Sequence, residues 1–514
     1  MAQTTFGPKT ATINELLNTD FSRWIDTQMS LPVTSMLDSF DALQQANPNS
    51  APSRDWIFES FWTQAVQSED QLRQRMAFAL SQLFVISLRE GAVASFPRGV
   101  ADFYTMLAEG AFGNFRDLLE QVTLHPMMGA YLSHLGNEKG NPLTGKVPDE
   151  NFAREIMQLF SIGLQQLNAD GSVILAPDGT ALETYSNSDV QGLARVFTGF
   201  SWNGPDTSTG RFQGWISIPD RDAQAMQAYP QFHSTKEKRF LGTVIAAQSA
   251  SMPLADLDIA LDTLFNHPNV GPFIGKQLIQ RLVSSNPSRD YIRRVTETFN
   301  NNGEGVRGDL KAVVRAILLD PEARNINQIN PATAGRIREP ILRLAHWMRS
   351  FDAKPADGRY VLLGTDDPAT SIGMTAMRSP SVFNFYRPGY VPPNTPIADA
   401  GLVSPEMQIT HETSIAGYLN FMLNATQLGI GSGDAITSQY TEAIALGADP
   451  QLLVEHLNVL LLHGSMSDRL RSWLNEAVDT VNVGSNTDES QALLRRARLA
   501  VYLTMASPEY SVLK

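Results

Sequence analysis

Residues 148–164 specify a helix on both of its faces. Phe152, Ile156, Leu159 and Phe160 recur at i, i+4, i+7 and i+8, which places them on one side. Asn151, Arg154, Glu155 and Gln158 fall on the other side. Pro148 suits the first turn, where a missing N–H costs nothing. Asp149 and Glu150 put negative charge at the positive end of the helix dipole, and Gly163 is a natural stop. The polar stripe carries no Lys, and its spacing predicts i,i+4 pairs Glu150–Arg154 and Asn151–Glu155. Mutual fixing of this kind is what a polar site needs. A solvated face or a buried polar seam would explain the same stripe.

The helical period recurs along much of the chain. Two short helices are expected before residue 35, followed by a polar, loop-like stretch over 36–55. Ser68 and Gln71 read as a capping box opening a helix over 72–88, and Ser188 and Gln191 as a second box opening a helix that stops at Gly199. Further helices are expected at 103–107, 115–124, 256–265, 273–282, 288–299, 310–319 and 336–351. Others follow at 415–423, 452–462, 466–478 and 491–505. Residues 165–186 carry turn signals, 168–171 and 177–179, around short apolar runs, and predict a β-excursion. Residues 200–242 hold many aromatics with no period and read as an irregular insertion, while 352–405 is a long, mostly non-helical segment. The pattern predicts a mainly α fold, a large multi-helical body with one or two small β or irregular insertions. A main helical domain over 1–405 would carry a C-terminal helical region, 406–514, packed on it. His125-Pro126 echoes His267-Pro268, and Asp320-Pro321-Glu322 echoes Ser507-Pro508-Glu509. The echoes fit a common helix-end device better than an internal duplication.

Composition narrows the function. With 514 residues and 43% hydrophobic content, the chain can bury a substantial core. A net charge of −13 argues against nucleic acid and against an anionic membrane surface. No apolar run reaches transmembrane length. The absence of Cys excludes thiol catalysis, disulfides and thiolate metal sites. Eight His occur without His-Glu-x-x-His or His-x-His spacing, so no metal site is expected and no cofactor is indicated. The first residues show neither a charged n-region nor an apolar h-region, so no signal peptide is read in this chain.

Several stretches resemble the bacterial family known as domain of unknown function 1800. They are Phe6-Gly7-Pro8, residues 70–75, His125-Pro126, residues 149–155 with Leu159, Phe160 and Gly163, and Asp189 with residues 197–199. Later ones are His233 with Lys238 and Leu241-Gly242, His267-Pro268 and Arg338-Glu339-Pro340. The chain departs from the family at Ser234, where members often have Asp, which weakens a His–Asp pair there. The resemblance implies a helical bacterial protein, periplasmic or extracellular, and a sulfatase-like protein as a candidate partner; it implies no activity. The residues themselves offer Glu155, His125, His233 and Asp189 as catalytic candidates, and Asn151, Arg154 and Lys238 as substrate-binding ones. Two functions are therefore expected in competition. One is an exported hydrolase-like enzyme acting on an envelope or extracellular polymer. The other is a non-catalytic helical scaffold or export partner. A carbohydrate-binding module built on the aromatic insertion, which would form a wall of the main cleft, is a third.

Overall fold

The apolar side of the 148–164 stretch becomes a core. Phe152, Ile156 and Phe160 are buried. Phe160 meets Phe84 edge-on at 5.5 Å, Phe84 meets Phe115 at 6.2 Å, and Phe115 meets Phe299 at 5.7 Å. Ring edges against ring faces join distant segments this way throughout. A contiguous cluster of buried apolar side chains runs from Phe6 to Tyr510.

The structure is a computed structural model and describes residues 1–325, 330, 332–432, 435–483 and 488–513. These residues form 25 α-helices and three two-stranded antiparallel sheets, the mainly α architecture expected. The helix at the centre is shorter than its sequence signal. It spans Asn151–Gln158, and Pro148 lies before it. Asp149 accepts the Asn151 N–H at 2.8 Å, and beyond Leu159 the chain tightens until the Gly163 N–H donates to the Met157 carbonyl at 2.9 Å. Gly163 has φ +73°, and a Cβ there would stand 2.6 Å from the Phe273 ring, so this stop requires glycine.

Other boundaries differ for identifiable reasons. Residues 36–55 are not a loop: helices Met36–Ala46 and Asp55–Gln67 occupy most of that stretch. The second is buried almost all round, so it shows no amphipathic period. Ser68 ends that helix rather than opening the next, its hydroxyl donating to the Gln64 carbonyl at 2.7 Å. The following helix is Gln71–Ser81, and its apolar continuation, residues 83–86, is buried without being helical. The second capping box lies two residues early, between Ser186 and Asp189, and opens Asn187–Val196. The helix expected from 336 begins at Pro340, because Arg336–Ile337 pairs as a strand with Val512–Leu513.

The β-excursion closes on itself. The Gln166 N–H donates to the Leu182 carbonyl, Ile174 to Gln166, and Leu182 to Ile174, a triangle of three runs eight residues apart. At two corners Asp170 and Asp178 each accept from the N–H and hydroxyl two residues on, at Ser172 and Thr180. The echoed segments share one device. His125 and His267 each end one helix with extended backbone and accept an N–H two residues later, from Met127 and Asn269. Asp320 and Ser507 likewise cap helices that begin with Pro321 and Pro508.

Candidate functional site

On the central helix, Arg154 donates to Glu150 at 3.2 Å across a half-exposed pair. Asn151 is exposed, and its amide reaches the Ser133 hydroxyl at 3.5 Å rather than Glu155. Glu155 turns inward to 7% exposure, and its Oε2 has no hydrogen-bond partner. Burial pushes this carboxyl up, against the opposing pull of Arg154. Beneath the helix His134 stacks on Phe152 at 3.8 Å and donates from Nε2 to the Thr123 carbonyl at 2.8 Å. Burial holds its pKa down at about 4.

The remaining candidates occupy other places. His125 pairs with Asp102 at 3.1 Å. Asp189 is consumed locally: it accepts from the Ser186 N–H and hydroxyl and from the Leu241 N–H at 2.6–2.7 Å. His233 and Lys238 are fully buried and meet Asp256, at 2.9 and 2.7 Å. His233 also contacts the Thr198 carbonyl at 2.6 Å, and Lys238 donates to the Ser234 carbonyl at 2.6 Å. Both partners of the His233 ring are acceptors and favour the imidazolium, but burial is the larger effect and pushes its pKa down. Burial pushes Asp256 up, yet the hydrogen bonds from Lys238, His233 and Gln248 outweigh it and hold the carboxyl below its usual range. Asp256, on the first turn of helix Pro253–Asn266, thus supplies the carboxylate that Ser234 does not. Helix Asn187–Val196 packs against both the central helix and the Lys238–Phe240 strand. The approach to the strand is close enough that a Cβ at Gly192 would overlap the Arg239 carbonyl. No hydrogen bond or ion pair among the described residues joins His233 or Lys238 to Asn151, Arg154 or Glu155.

A wide cavity lies at the other end of the central helix. It is a groove of about 650 Å³ bounded by Gln158, Leu159, Gly163 and residues of the β-excursion on one side. Phe273, Lys276, Gln277, Gln280 and Arg281 of helix Val270–Leu282 form its floor, and residues 382–389 and Val403 close it. No residue of the 200–242 insertion lines it, contrary to the expectation that this segment walls the main cleft. The insertion's rings pack on one another instead, Phe212 on Phe232 at 3.9 Å and on Tyr229 at 5.1 Å. Among the described residues the groove lining contains no Asp, Glu, His, Ser, Thr or Tyr. It contains three cations, Lys276, Arg281 and Arg387, and six amides. Arg281 lies over Tyr386 at 4.6 Å and Arg387 over Phe383 at 4.6 Å. Neither guanidinium forms an ion pair among the described residues, nor does Lys276, whose ammonium burial pushes down.

A family model described as protein of unknown function (DUF1800) matches residues 1–512. The chain belongs to the DUF1800 family. No curated protein and no solved structure was matched. Two of the stretches that suggested DUF1800 meet directly behind the groove. Arg75, from 70–75, lies 3.7 Å from Glu339, from 338–340. Arg336 bridges Glu339 and Glu406, each at 2.8 Å, and the Tyr386 hydroxyl donates to Glu339. Burial pushes Glu339 up, but the three arginines around it prevail and hold its pKa down at about 2, while burial pushes Glu406 up. Among the described residues of this DUF1800 chain no group of three or more His, Asp or Glu is placed to hold a metal, and no helix is long and apolar enough to cross a membrane. Sequence reasoning passed over Lys276, Gln277, Gln280 and Arg281, although they form a cation–amide stripe that, unlike the one at 151–158, holds no acid.

Proposed function

We propose that this DUF1800 member is a non-catalytic binding protein, a helical scaffold that holds an anionic ligand or partner group in the groove at the C-terminal end of the central helix. One observation carries the reading: among the described residues the groove lining offers cations, amides and apolar walls, but no carboxylate, imidazole or hydroxyl. Those are the groups that most often move a proton at the reacting atom of a hydrolase. A sulfatase-like partner fits this reading as a source of the bound group. Native mass spectrometry of protein purified from its source tests it. A non-covalent adduct is expected on the wild type and not on a Lys276→Glu/Arg387→Glu chain, and it should leave chemically intact. An adduct held equally by both chains, or released as a cleaved product, would refute the reading.

A hydrolase-like enzyme acting on an envelope or extracellular polymer stays as the second reading because of Glu155. A buried carboxyl with a raised pKa and an unpaired oxygen is what a general acid requires. This reading predicts turnover of a polymer that Glu155→Gln abolishes; turnover unaffected by that change would remove Glu155 from consideration.

A further inference from the structure

Charge counting across the wall of the groove leaves a remainder. Arg75, Arg281 and Arg336 are buried together with Glu339 and Glu406, three guanidinium groups to two carboxylates. Arg336 is fully engaged by the two acids, and Arg75 donates to the Arg281 carbonyl at 2.7 Å. Arg281 helps hold Glu339 down but is the one of the three that lies within ion-pair distance of neither acid. It is only 6% exposed, its guanidinium makes no hydrogen bond among the described residues, and it lines both the groove and the small void behind it. A buried cation that no acid contacts directly is costly. Near it Gln82 Nε2, Gln277 Nε2 and Gln280 Oε1 are buried without partners, and all three residues line the groove.

We propose that the groove is an oxyanion site, in which Arg281 receives one carboxylate, sulfate ester or phosphate ester carried on an apolar arm. The proposal rests on the binding reading above and names its ligand class. The acid group balances the odd guanidinium and takes the free N–H groups of Gln82 and Gln277. The unpartnered Gln280 Oε1 fits a hydroxyl or amide hydrogen beside that acid. The arm lies along Leu159, Phe273 and Phe383, which line the same groove. A volume of about 650 Å³ suits a small organic acid. A long polyanion would meet the field of a chain whose net charge is −13.

Calorimetric titration of the full chain with hexyl sulfate, hexanoate, sodium sulfate and 1-hexanol tests this. Hexyl sulfate and hexanoate should saturate a single site, with sodium sulfate and hexanol weaker by about tenfold or more. Arg281→Gln should weaken hexyl sulfate by about tenfold or more. Should that chain fail to fold, Lys276→Gln and Arg387→Gln, on groove positions outside the buried cluster, should each weaken it severalfold while leaving the melting temperature unchanged. Hexanol binding as tightly as hexyl sulfate would overturn the oxyanion and leave an apolar groove. Sulfate binding as tightly as hexyl sulfate would overturn the arm. If no probe binds while the source-purified adduct survives, the ligand class fails and the binding reading stands; if that adduct also fails its test, both fall.

Discussion

Two buried charged regions of this molecule use similar residues to opposite effect. Around Asp256, every charge is answered: Lys238 and His233 converge on its carboxylate, Gln248 donates to its other oxygen, and the group is sealed. Around Arg281, the charges do not cancel, and the surplus cation faces an open groove. The first arrangement satisfies itself and needs nothing from outside. The second has a cation that no acid contacts, and on that difference the proposed oxyanion site rests. A cation beside rings is therefore a poor guide to function until its partners are counted, since Lys238 among the aromatics of 200–242 has the same local composition as Arg387 beside Phe383 and Tyr386.

The sharpest way to break this comparison is to remove the carboxylate from the closed region. Asp256→Ala strands Lys238 in a sealed interior and should cost about 3–5 kcal/mol in denaturant unfolding. A loss under about 1 kcal/mol would mean that water reaches Lys238 and that the region is not closed.

Acid titration sharpens it next. The folded pKa of His134 is held at about 4, below its ordinary 6.5, because the ring is buried against Phe152 with its Nδ1 unpaired. Between those values the unfolded chain binds the proton and the folded chain does not, so stability is full above pH 6.5 and falls as the pH drops toward 4. Glu155 has the opposite sign. Its folded pKa is raised by burial, so its contribution is full below its ordinary 4.5 and is lost as pH rises through the folded value. Melts across pH 4–8 should show the acid slope flattened in His134→Phe, and Glu155→Gln gaining stability over wild type near neutrality. An unchanged slope in the first variant would place the titration elsewhere.

Much of the fold could be read from periodicity because most helices here bury a single stripe. Helices 115–124 and 310–319 match their expected bounds for that reason. Helix Asp55–Gln67 was not legible because it is buried on nearly all sides, and burial without alternation leaves no period. The capping boxes were misplaced by the same ambiguity: Ser186 and Ser188 both precede an acceptor, and only the fold chooses. A polar stripe without Lys drew attention to Asn151, Arg154 and Glu155, yet the groove opens at the far end of that helix, among residues 276–281 and 382–389. Nothing local in a sequence shows which cations will lack acids, because the charged groups buried with Arg281 come from segments far apart in the chain, at 75, 336, 339 and 406.

Smaller effects separate a site from a scaffold. Lys276→Met removes a cation that burial already disfavours and that no carboxylate supports, so it should be neutral or stabilising by up to about 1 kcal/mol. The same change in a paired lysine would destabilise. A clear loss of stability would show that Lys276 has a structural partner and would take it out of the groove's binding set.

The smallest effect is expected at the residue whose sequence context looked most committed. Its spacing predicted an i,i+4 pair with Glu150, and a planar guanidinium that also reached a second acceptor would make Lys a poor substitute. In the fold, Arg154 makes one contact, at 3.2 Å, to Glu150, across a pair whose side chains are 40% and 34% exposed. Solvent screens such a pair, and i,i+4 ion pairs on helices contribute only about 0.3–0.5 kcal/mol. A lysine ammonium can make the same single contact. Arg154→Lys should therefore alter stability by less than about 0.5 kcal/mol and leave hexyl sulfate affinity unchanged, since Arg154 is not among the residues lining the groove. A larger loss in either measurement would mean that Arg154 reaches the ligand or a second acceptor when the protein is loaded, and would move the functional boundary back along the helix toward Glu155.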